Sequence, residues 1–236
     1  MLERFPVDAV FGLHNWPGVG RGQFGFVPGP AMAAVDKAEI RVTGKGGHGA
    51  TPHETVDPVL AASAIVLALQ SVVSRNVDPR DAAVVTVASI HGGEASNVIP
   101  EAVDLKLTIR SFDADVRDRL EERITAIART QAETYGARAD VRYRRGLPAL
   151  LNHEPETLFA REVALATFGP DRVENGFKPR MPSEDFGYLL QAAPGSFFFV
   201  GNGDSAALHS DRYDFDDALI GPAATFWLRL ARAYLV

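Results

Sequence analysis

The chain contains no cysteine among its 236 residues. This absence excludes disulfides and thiolate nucleophiles, and it leaves His, Asp and Glu as the side chains that could bind a metal. A long hydrophobic segment is also missing, because the longest nearly unbroken apolar run, residues 59–69, is too short to span a bilayer. The N-terminus has no basic stretch followed by an apolar one, as a signal peptide would have. We therefore expect a cytoplasmic protein.

Positive charge is in the minority, with 24 Lys and Arg residues against 30 Asp and Glu, which gives a formal net charge of -6. No Lys/Arg cluster stands out along the chain, so neither nucleic acid nor a membrane surface is expected as a partner. Small molecules or proteins are the expected partners. Hydrophobic residues make up 46% of the chain, which is enough for a substantial core at this length.

Two common catalytic motifs are missing as well. There is no Gly-x-Ser-x-Gly elbow, and Ser210 beside His209 is the wrong local arrangement for a nucleophile and its base. The glycine-rich segment 44–49 does not have the pattern of a phosphate-binding loop, since its lysine precedes two glycines and no Lys-Ser or Lys-Thr pair follows. A serine hydrolase and a P-loop nucleotide hydrolase are thereby set aside.

The most distinctive segment that is present spans residues 44–53, where four glycines occur within six residues around His48. Glycine tolerates unusual backbone angles and close backbone approach at a cost in chain entropy. We interpret the glycines as serving the presentation of a neighbouring side chain to a ligand or to another surface, and not as packing residues. The side chain presented here is that of His48.

Hydrophobic patterns predict an α/β fold. An apolar run over residues 7–13 predicts a buried strand that stops at His14, at the sheet edge where ligands collect in open α/β sheets. A lone histidine at such a place is nevertheless more often structural than a ligand. Strands are further predicted over 37–43, 84–90 and 103–109 and around 141–143, with helices over 58–74 and 116–136. Their order is β-α-β-β-α-β, the split βαβ sandwich with both helices on one face of an antiparallel sheet.

After residue 148, helices and strands alternate again. Helices are predicted over 155–168, 183–191 and 216–234, and an apolar strand over 196–200. We therefore predict an α/β domain in two segments, residues 1–35 and 150–236, interrupted by an inserted domain of residues 36–149. His209 follows the last strand, so His14 and His209 could meet at one sheet edge, although two histidines alone do not make a metal site.

Five polar residues have ordinary interpretations from the sequence alone. Ser183 would cap the predicted helix, and Glu184 and Asp185 would be favourable first-turn neighbours of the helix dipole. Asn97 is by default a turn residue, and Arg110, on the polar face of a strand, is by default solvated or paired.

Six motifs in this order resemble the metal-dependent amidohydrolases that include hippurate hydrolase, N-acyl-amino-acid deacylases and plant hydrolases of auxin conjugates. The motifs are GLHN at 12–15, GKGGHGA at 44–50, NVIP at 97–100, IRSF at 109–112, SEDF at 183–186 and LHS at 208–210. The resemblance extends from about residue 7 to the C-terminus. It implies a metallopeptidase-like α/β catalytic domain interrupted by a βαββαβ, ferredoxin-like domain that acts as a lid and as a dimerisation domain.

The resemblance also implies a cofactor and a reaction. His14 and His209 would bind a dinuclear centre of a divalent metal, zinc in the first place, with manganese, cobalt or nickel as alternatives. The metals would activate a water for attack on the amide bond of an N-acyl amino acid, and a carboxylate would take its proton. Glu184 and Asp185 would support the site.

The substrate-binding residues implied by the resemblance are His48, Asn97 and Arg110, which would hold the substrate's carboxylate or the developing oxyanion. His48 would be the catalytic donor, and in some relatives it reaches the site of the neighbouring subunit. The expected assembly is a homodimer formed through the lid.

One departure from the family pattern affects these expectations. In the resembled family, the remaining metal ligands and a Glu-Glu pair that provides the general base lie upstream of the strand containing His14. We therefore expect these groups to be absent from this chain, which would be a fragment of a longer enzyme or a truncated product. The alternative to an amidohydrolase is a catalytically inactive module for dimerisation or binding.

Overall fold

Residues 4–235 are described by the structure, a computed structural model, and they form a mixed α/β fold. In chain order the strands are β1 (Val10–Trp16), β2 (Phe24–Gly25), β3 (Gly29–Met32), β4 (Ala34–Thr43), β5 (Gly47–His48), β6 (Ala83–His91), β7 (Val98–Ile99), β8 (Ala102–Ser111), β9 (Arg138–Arg145), β10 (Leu150–Asn152) and β11 (Gly195–Gly201). The helices are α1 (Pro58–Asn76), α2 (Ala114–Thr134), α3 (Glu154–Phe168), α4 (Gly187–Ala192) and α5 (Ile220–Tyr234). The chain divides into two compact units. One is Ala33–Ala149, and the other is formed by the two chain segments that flank it in sequence, residues 4–32 and 150–235.

The divided unit is built around a three-stranded sheet in the order β1-β11-β2, in which β1 and β11 are parallel. Every residue of β11 is buried, and three consecutive phenylalanines, Phe197 to Phe199, pack alternately on its two sides. Such a continuous apolar run is typical of a strand covered on both faces. A second small ladder pairs β3 with β10, so the chain segments before and after the other unit are hydrogen-bonded to each other.

The unit Ala33–Ala149 contains an antiparallel four-stranded sheet in the order β6-β8-β4-β9. Along β4 the burial alternates, with Ala38, Ile40 and Val42 buried and the polar residues between them exposed. The apolar side of this sheet packs against α1 and α2 in one core. The predicted order of four strands and two helices is present. The strands were predictable because one face of the sheet is covered and the other is polar, so apolar and polar residues alternate along each strand.

Helix α1 begins where the sequence predicted, because the Asp57 carboxylate accepts the backbone N–H groups of Val59 and Leu60 at 2.8 and 3.3 Å. It continues to Asn76, and its 19 residues are long and apolar enough to span a membrane by length and composition. The apolar run of residues 59–69 is therefore part of a longer apolar helix. One side of α1 is nevertheless buried in the core of its unit, including Ile65 and Leu69 at 0% exposure.

Three predicted boundaries in the divided unit are shifted. The first strand runs over Val10–Trp16 instead of 7–13, because its partner β11 pairs with it along that range. The helix predicted over 183–191 is shorter, Gly187–Ala192, and its N-cap is Phe186, so Ser183 does not cap it. The last helix is preceded by a separate 3-10 turn, Asp217–Leu219, which the Asp216 side chain caps.

Candidate active site

His14 lies inside β1, two residues before the end of the strand, and not after it as predicted. Its ring packs against Trp16 and Phe197, at centroid distances of 5.6 and 6.3 Å. Its Nδ1 atom lies 2.5 Å from the carbonyl oxygen of Asn15, which can only accept a hydrogen bond. The ring proton is therefore on Nδ1 in the neutral form, and the lone pair of Nε2 is left for another ligand. This is the arrangement in which a histidine binds a metal while a backbone carbonyl orients it.

His209 lies in an exposed turn eight residues after β11 ends, so it does not follow the strand directly. Its φ of 65° is in the left-handed region, which costs a non-glycine residue of order 1 kcal/mol and must be maintained by its surroundings. The loop is attached to the end of β1, because Asn15 Nδ2 donates a short hydrogen bond to the Tyr213 hydroxyl. The structure thus brings the loop of His209 to the sheet edge at which β1 ends.

The sequence does not indicate Tyr213 as a site residue, and it does not indicate the contact of Tyr213 with Asn15, although Asn15 belongs to the GLHN motif. Nothing in the local pattern distinguishes Tyr213 from other loop residues, and the two are 198 positions apart. A second anchor for the same loop is Asn202, which donates to the carbonyl oxygen of Asp214 at 3.0 Å and accepts the N–H of Asp216 at 3.0 Å. Long-range contacts of this kind are visible only after folding.

Glu184 and Asp185 lie in the turn before α4 instead of in its first helical turn, so their predicted interaction with the helix dipole is wrong. Glu184 Oε1 accepts the backbone N–H of Asp185 at 2.9 Å. Burial, together with a hydrogen bond to the Asp185 carboxyl, raises the pKa of Glu184. Phe186, which follows Asp185, packs in a tilted arrangement against Phe197 at a centroid distance of 5.3 Å, and His14 contacts the same Phe197 ring. The acidic turn is therefore on the His14 side of the sheet.

The ligand set for a metal is incomplete within residues 4–235. No group of three or more His, Asp or Glu side chains in that range is arranged to hold a metal ion. Imidazoles such as His14 and His209 suit zinc and its neighbours in the first transition row, but a catalytic zinc normally takes three protein ligands and a dinuclear centre takes more. The described residues therefore supply at most part of a metal site.

His48 lies in the two-residue ladder between β5 and β7, in the unit Ala33–Ala149. Its Nδ1 atom accepts the backbone N–H of Ala50 at 3.0 Å, so in the neutral ring the proton is on Nε2. The side chain is exposed, and Nε2–H is available as a hydrogen-bond donor. Next to it, the N–H of Gly49 donates to the carbonyl oxygen of Asn97 at 2.8 Å. The structure thus brings His48 and Asn97 together, although 48 residues separate them in the chain.

The glycines around His48 allow close backbone packing, contrary to the expectation that packing was not their purpose. A Cβ atom on Gly44 would lie 2.1 Å from the carbonyl oxygen of Val56, and one on Gly46 would lie 2.7 Å from that of Ile99. None of the four glycines between 44 and 49 has a positive φ. Close contact with two neighbouring segments therefore explains them, and it holds the turn that contains His48 in one shape.

Arg110 lies near the far end of β8, where it pairs in register with Val35 and Val84. Burial lowers the pKa of this arginine from its usual value. The ladder between β5 and β7 lies beyond the other end of β8, at Ala102. A strand advances about 3.3 Å per residue, so the eight steps from Ala102 to Arg110 span roughly 26 Å. Within this unit, Arg110 is therefore not beside His48 and Asn97.

The sequence pattern of peptidase family M20/M25/M40 matches residues 1–233. The hippurate hydrolase of Campylobacter jejuni is 37% identical over 100% of this chain and 61% of its own length. The N-acetyl-L-cysteine deacetylase of Bacillus subtilis is 37% identical over 97% of this chain and 54% of its own length. This chain thus spans 54% to 61% of the length of these two relatives.

A solved structure shares the fold. The crystal structure of the YXEP protein of Bacillus subtilis, named a dinuclear metal binding peptidase from the M20 family, superposes with a TM-score of 0.79 at 28% identity. The match covers 96% of this chain and 57% of that one.

Proposed function

This chain belongs to peptidase family M20/M25/M40, and we propose that it is part of a metal-dependent amidohydrolase that cleaves the amide bond of N-acyl amino acids. The observation that carries this proposal is the 37% identity to a hippurate hydrolase over the whole chain. Residues 1–35 and 150–236 would form the catalytic domain, and residues 36–149 the lid. The division of the described chain into compact units at positions 32/33 and 149/150 supports these boundaries.

His14 and His209 would be two of the ligands of a divalent metal, and the Nε2 lone pair that Asn15 leaves available on His14 supports this role. The metal would activate water for attack on the amide carbonyl. The remaining ligands and the general base would come from residues outside the described set, because residues 4–235 contain no complete ligand cluster. Glu184 would support the site from the His14 side of the sheet.

His48 would donate a hydrogen bond from Nε2 to the oxyanion that develops when the amide carbonyl is attacked. The backbone N–H of Ala50 holds the ring in the tautomer that this role requires. Asn97, attached to the same turn through Gly49, would add a second polar group. A donor that is already oriented needs no rearrangement during the reaction, which is the usual basis of such stabilisation.

We further propose a homodimer in which two copies share one substrate. Arg110, the candidate for binding the substrate's carboxylate, is separated from His48 by the length of β8, roughly 26 Å. An N-acyl amino acid is too short to contact both side chains of one unit across that distance. Arg110 of one copy and the His48 turn of another could contact the same small molecule, which makes the second copy part of the site.

An apolar groove offers a surface for that second copy. Strand β6 is an edge of the four-stranded sheet, and beside it α1 exposes Leu67 (75%) and Leu60 (54%). The groove between them has a volume of about 410 Å³ and is lined by Ser63, Val66, Leu67, Val87, Ala88, Ser89 and Ile90. Exposed apolar surface beside an edge strand is a frequent site of association between identical chains.

Two measurements test the function. The protein expressed from the complete reading frame that contains this sequence would be loaded with zinc, manganese or cobalt and assayed with hippurate and N-acetyl-cysteine. We expect that protein to release the free amino acid from these substrates, and we expect residues 1–236 alone to release none. Metal content would then be compared in His14→Ala, His209→Ala and the control His53→Ala, whose exposed ring lies outside the candidate ligand set.

Loss of bound metal in the first two variants, with the control unchanged, is the expected outcome. Unchanged metal content in both would remove these histidines from the ligand set. A complete reading frame without hydrolysis, but with a stable dimer, would instead favour the second candidate, an inactive dimerisation module. The observation that favours this candidate is the incomplete ligand set of residues 4–235.

A further inference from the structure

Arg180 is a half-buried cation that has no anionic partner among residues 4–235. The central carbon of its guanidinium group lies 4.6 Å from the ring centre of Phe177 and 5.6 Å from that of Trp16. Its Nε atom is buried and has no hydrogen-bond partner within the described part of the chain. Buried polar groups are nearly always hydrogen-bonded, so this N–H requires an explanation.

The position of Arg180 is held by its backbone. Its N–H donates to the carbonyl oxygen of Ala31 at 2.8 Å, and the residue forms an isolated parallel bridge with Met32. Pro179 precedes it and Pro182 follows two residues later, and each fixes a backbone angle. The rings of Trp16 and Phe177, which the guanidinium group packs against, restrict the position of that group itself. Arg180 is therefore oriented before any ligand binds.

The guanidinium group lies on the His14 side of the sheet. Trp16 and His14 are two residues apart on β1, so their side chains point to the same face, and their rings are 5.6 Å apart. Arg180 packs on that same Trp16 ring. Phe177, which also packs against Arg180, stacks on Phe199 of β11 at 5.0 Å. One Trp16 ring thus separates the cation from the candidate metal ligand.

We propose that Arg180 binds a carboxylate of the substrate. The guanidinium group presents paired N–H donors whose geometry matches a carboxylate, and such charge-assisted pairs are strong where water is partly excluded. The proposal rests on the proposed function, since N-acyl amino acids carry a carboxylate. That carboxylate is either the α-carboxylate or a second one on the side chain or the acyl group. The alternative is that Arg180 only covers the two aromatic rings, as long cationic side chains often do.

Trp16 provides a direct test of binding. The chain has two tryptophans, so Trp227→Phe leaves Trp16 as the single fluorescent indole, in contact with Arg180. This variant would be titrated with N-acetyl-alanine against N-acetyl-alaninamide, and with N-acetyl-glutamate against N-acetyl-glutamine, at constant ionic strength. The first pair differs in the α-carboxylate and the second in the side-chain carboxylate, so the two pairs distinguish the two sources.

We expect a saturable change in Trp16 emission that depends on a carboxylate in at least one pair. In the same background, Arg180→Met should weaken that binding about tenfold or more. Arg180→Lys should weaken it less, because lysine keeps the positive charge but lacks the paired N–H donors of the guanidinium group. Arg161→Met is the matched control, since Arg161 already pairs with Glu162 and Asn175. It should bind like the parent.

Equal affinities for the acids and the amides, or unchanged carboxylate binding in Arg180→Met, would overturn the proposal and leave Arg180 as a packing residue. These results are separable from the hydrolysis assay, because binding is read without turnover. Carboxylate binding that depends on Arg180, together with absent hydrolysis by the complete protein, would count against the proposed function alone.

Discussion

Arg117 donates from Nε and Nη2 to the two carboxylate oxygens of Asp36, at 2.9 and 2.5 Å. Asp36 is 2% exposed, and it also accepts the Tyr143 hydroxyl at 2.9 Å and the N–H of Gly146 at 3.0 Å. Asp36 is near the start of β4, and Gly146 follows the end of β9. This buried ion pair therefore joins both ends of the unit Ala33–Ala149 to the beginning of α2.

Replacing Arg117 with Met should strongly destabilise this unit. The carboxylate of Asp36 would remain buried without its charged partner, and breaking a buried ion pair in this way typically costs about 3–5 kcal/mol. Arg41→Met is the matched control, because the pair of Arg41 with Asp104 has side chains that are 60% and 51% exposed. Its loss should cost no more than about 1 kcal/mol. Urea unfolding followed by circular dichroism measures both, and equal losses would contradict the prediction.

The stabilisation by Asp36 should depend on pH. Burial alone would raise the pKa of Asp36, but the hydrogen bonds from Arg117, Gly146 and Tyr143 together lower it below its usual value. A carboxyl whose pKa is lowered by folding stabilises the protein above its unfolded pKa, about 4, and this contribution is lost as the pH falls through the folded pKa. The gap in unfolding free energy between wild type and Asp36→Asn should therefore shrink as the pH is lowered from neutral through that range. A difference in unfolding free energy that does not change with pH would show that ionisation of Asp36 is not the source of this stabilisation.

Gly44→Ala should destabilise the turn that contains His48. The new Cβ atom would lie 2.1 Å from the carbonyl oxygen of Val56 and 3.0 Å from Pro58 Cδ, so the backbone must shift. We expect a loss of about 1–3 kcal/mol in the free energy of unfolding. Gly221→Ala, at a helical position with nothing within 4 Å of the added atom, should be neutral or stabilising by up to about 1 kcal/mol. Thermal unfolding of both variants checks the contrast, which a loss in Gly221→Ala would contradict.

Leu67→Glu should produce monomers if the groove between α1 and β6 binds a second copy. A charge placed at the centre of an apolar interface cannot be solvated there. Leu158→Glu is the control, because Leu158 is 44% exposed on α3 and lies outside that groove. Light scattering after size exclusion, over a range of concentrations, gives the mass of each variant. A wild-type monomer at high concentration, or a dimer that survives Leu67→Glu, would exclude this surface.

The neutral ring of His48 should carry its proton on Nε2, since Nδ1 accepts the N–H of Ala50. Long-range nitrogen–proton correlation spectra distinguish the two tautomers. His53 is an internal control from the same loop, because its exposed ring has no hydrogen-bond partner among residues 4–235 and should show a mixture of the two tautomers. A dominant Nδ1–H form of His48 would remove the support for its role as an oxyanion donor.

Regular periodicity made parts of the fold predictable. The alternation along β4 and β8 and the apolar residues of α1 are local patterns, and the structure contains these elements close to where they were expected. The ends of a strand were less predictable where pairing with another strand sets them. Strand β1 extends past His14 because β11 pairs with it up to Trp16, and this pairing joins residues about 185 positions apart in the chain.

The candidate site shows the same division. The six motifs and their order identified the family, because each is a contiguous set of residues whose chemistry is read directly from the chain. The glycines around His48 stand out in the sequence for the same reason, but the packing that requires them does not. The segments that exclude a Cβ atom, at Val56 and Ile99, are not adjacent to these glycines in the chain, and folding alone brings them into contact.

The sequence by itself determined the α/β class, the order of strands and helices, the family and the absence of thiol chemistry. These properties follow from residue types and local spacing. Only the tertiary structure decided that Asn15 orients the ring of His14 and that Arg110 is at the opposite end of β8 from the His48 turn. It also decided that Arg180 is half-buried against Trp16, with an Nε atom that has no hydrogen-bond partner among residues 4–235. The orientation of a side chain and the satisfaction of its hydrogen bonds depend on the three-dimensional packing around it, which brings together residues far apart in the chain.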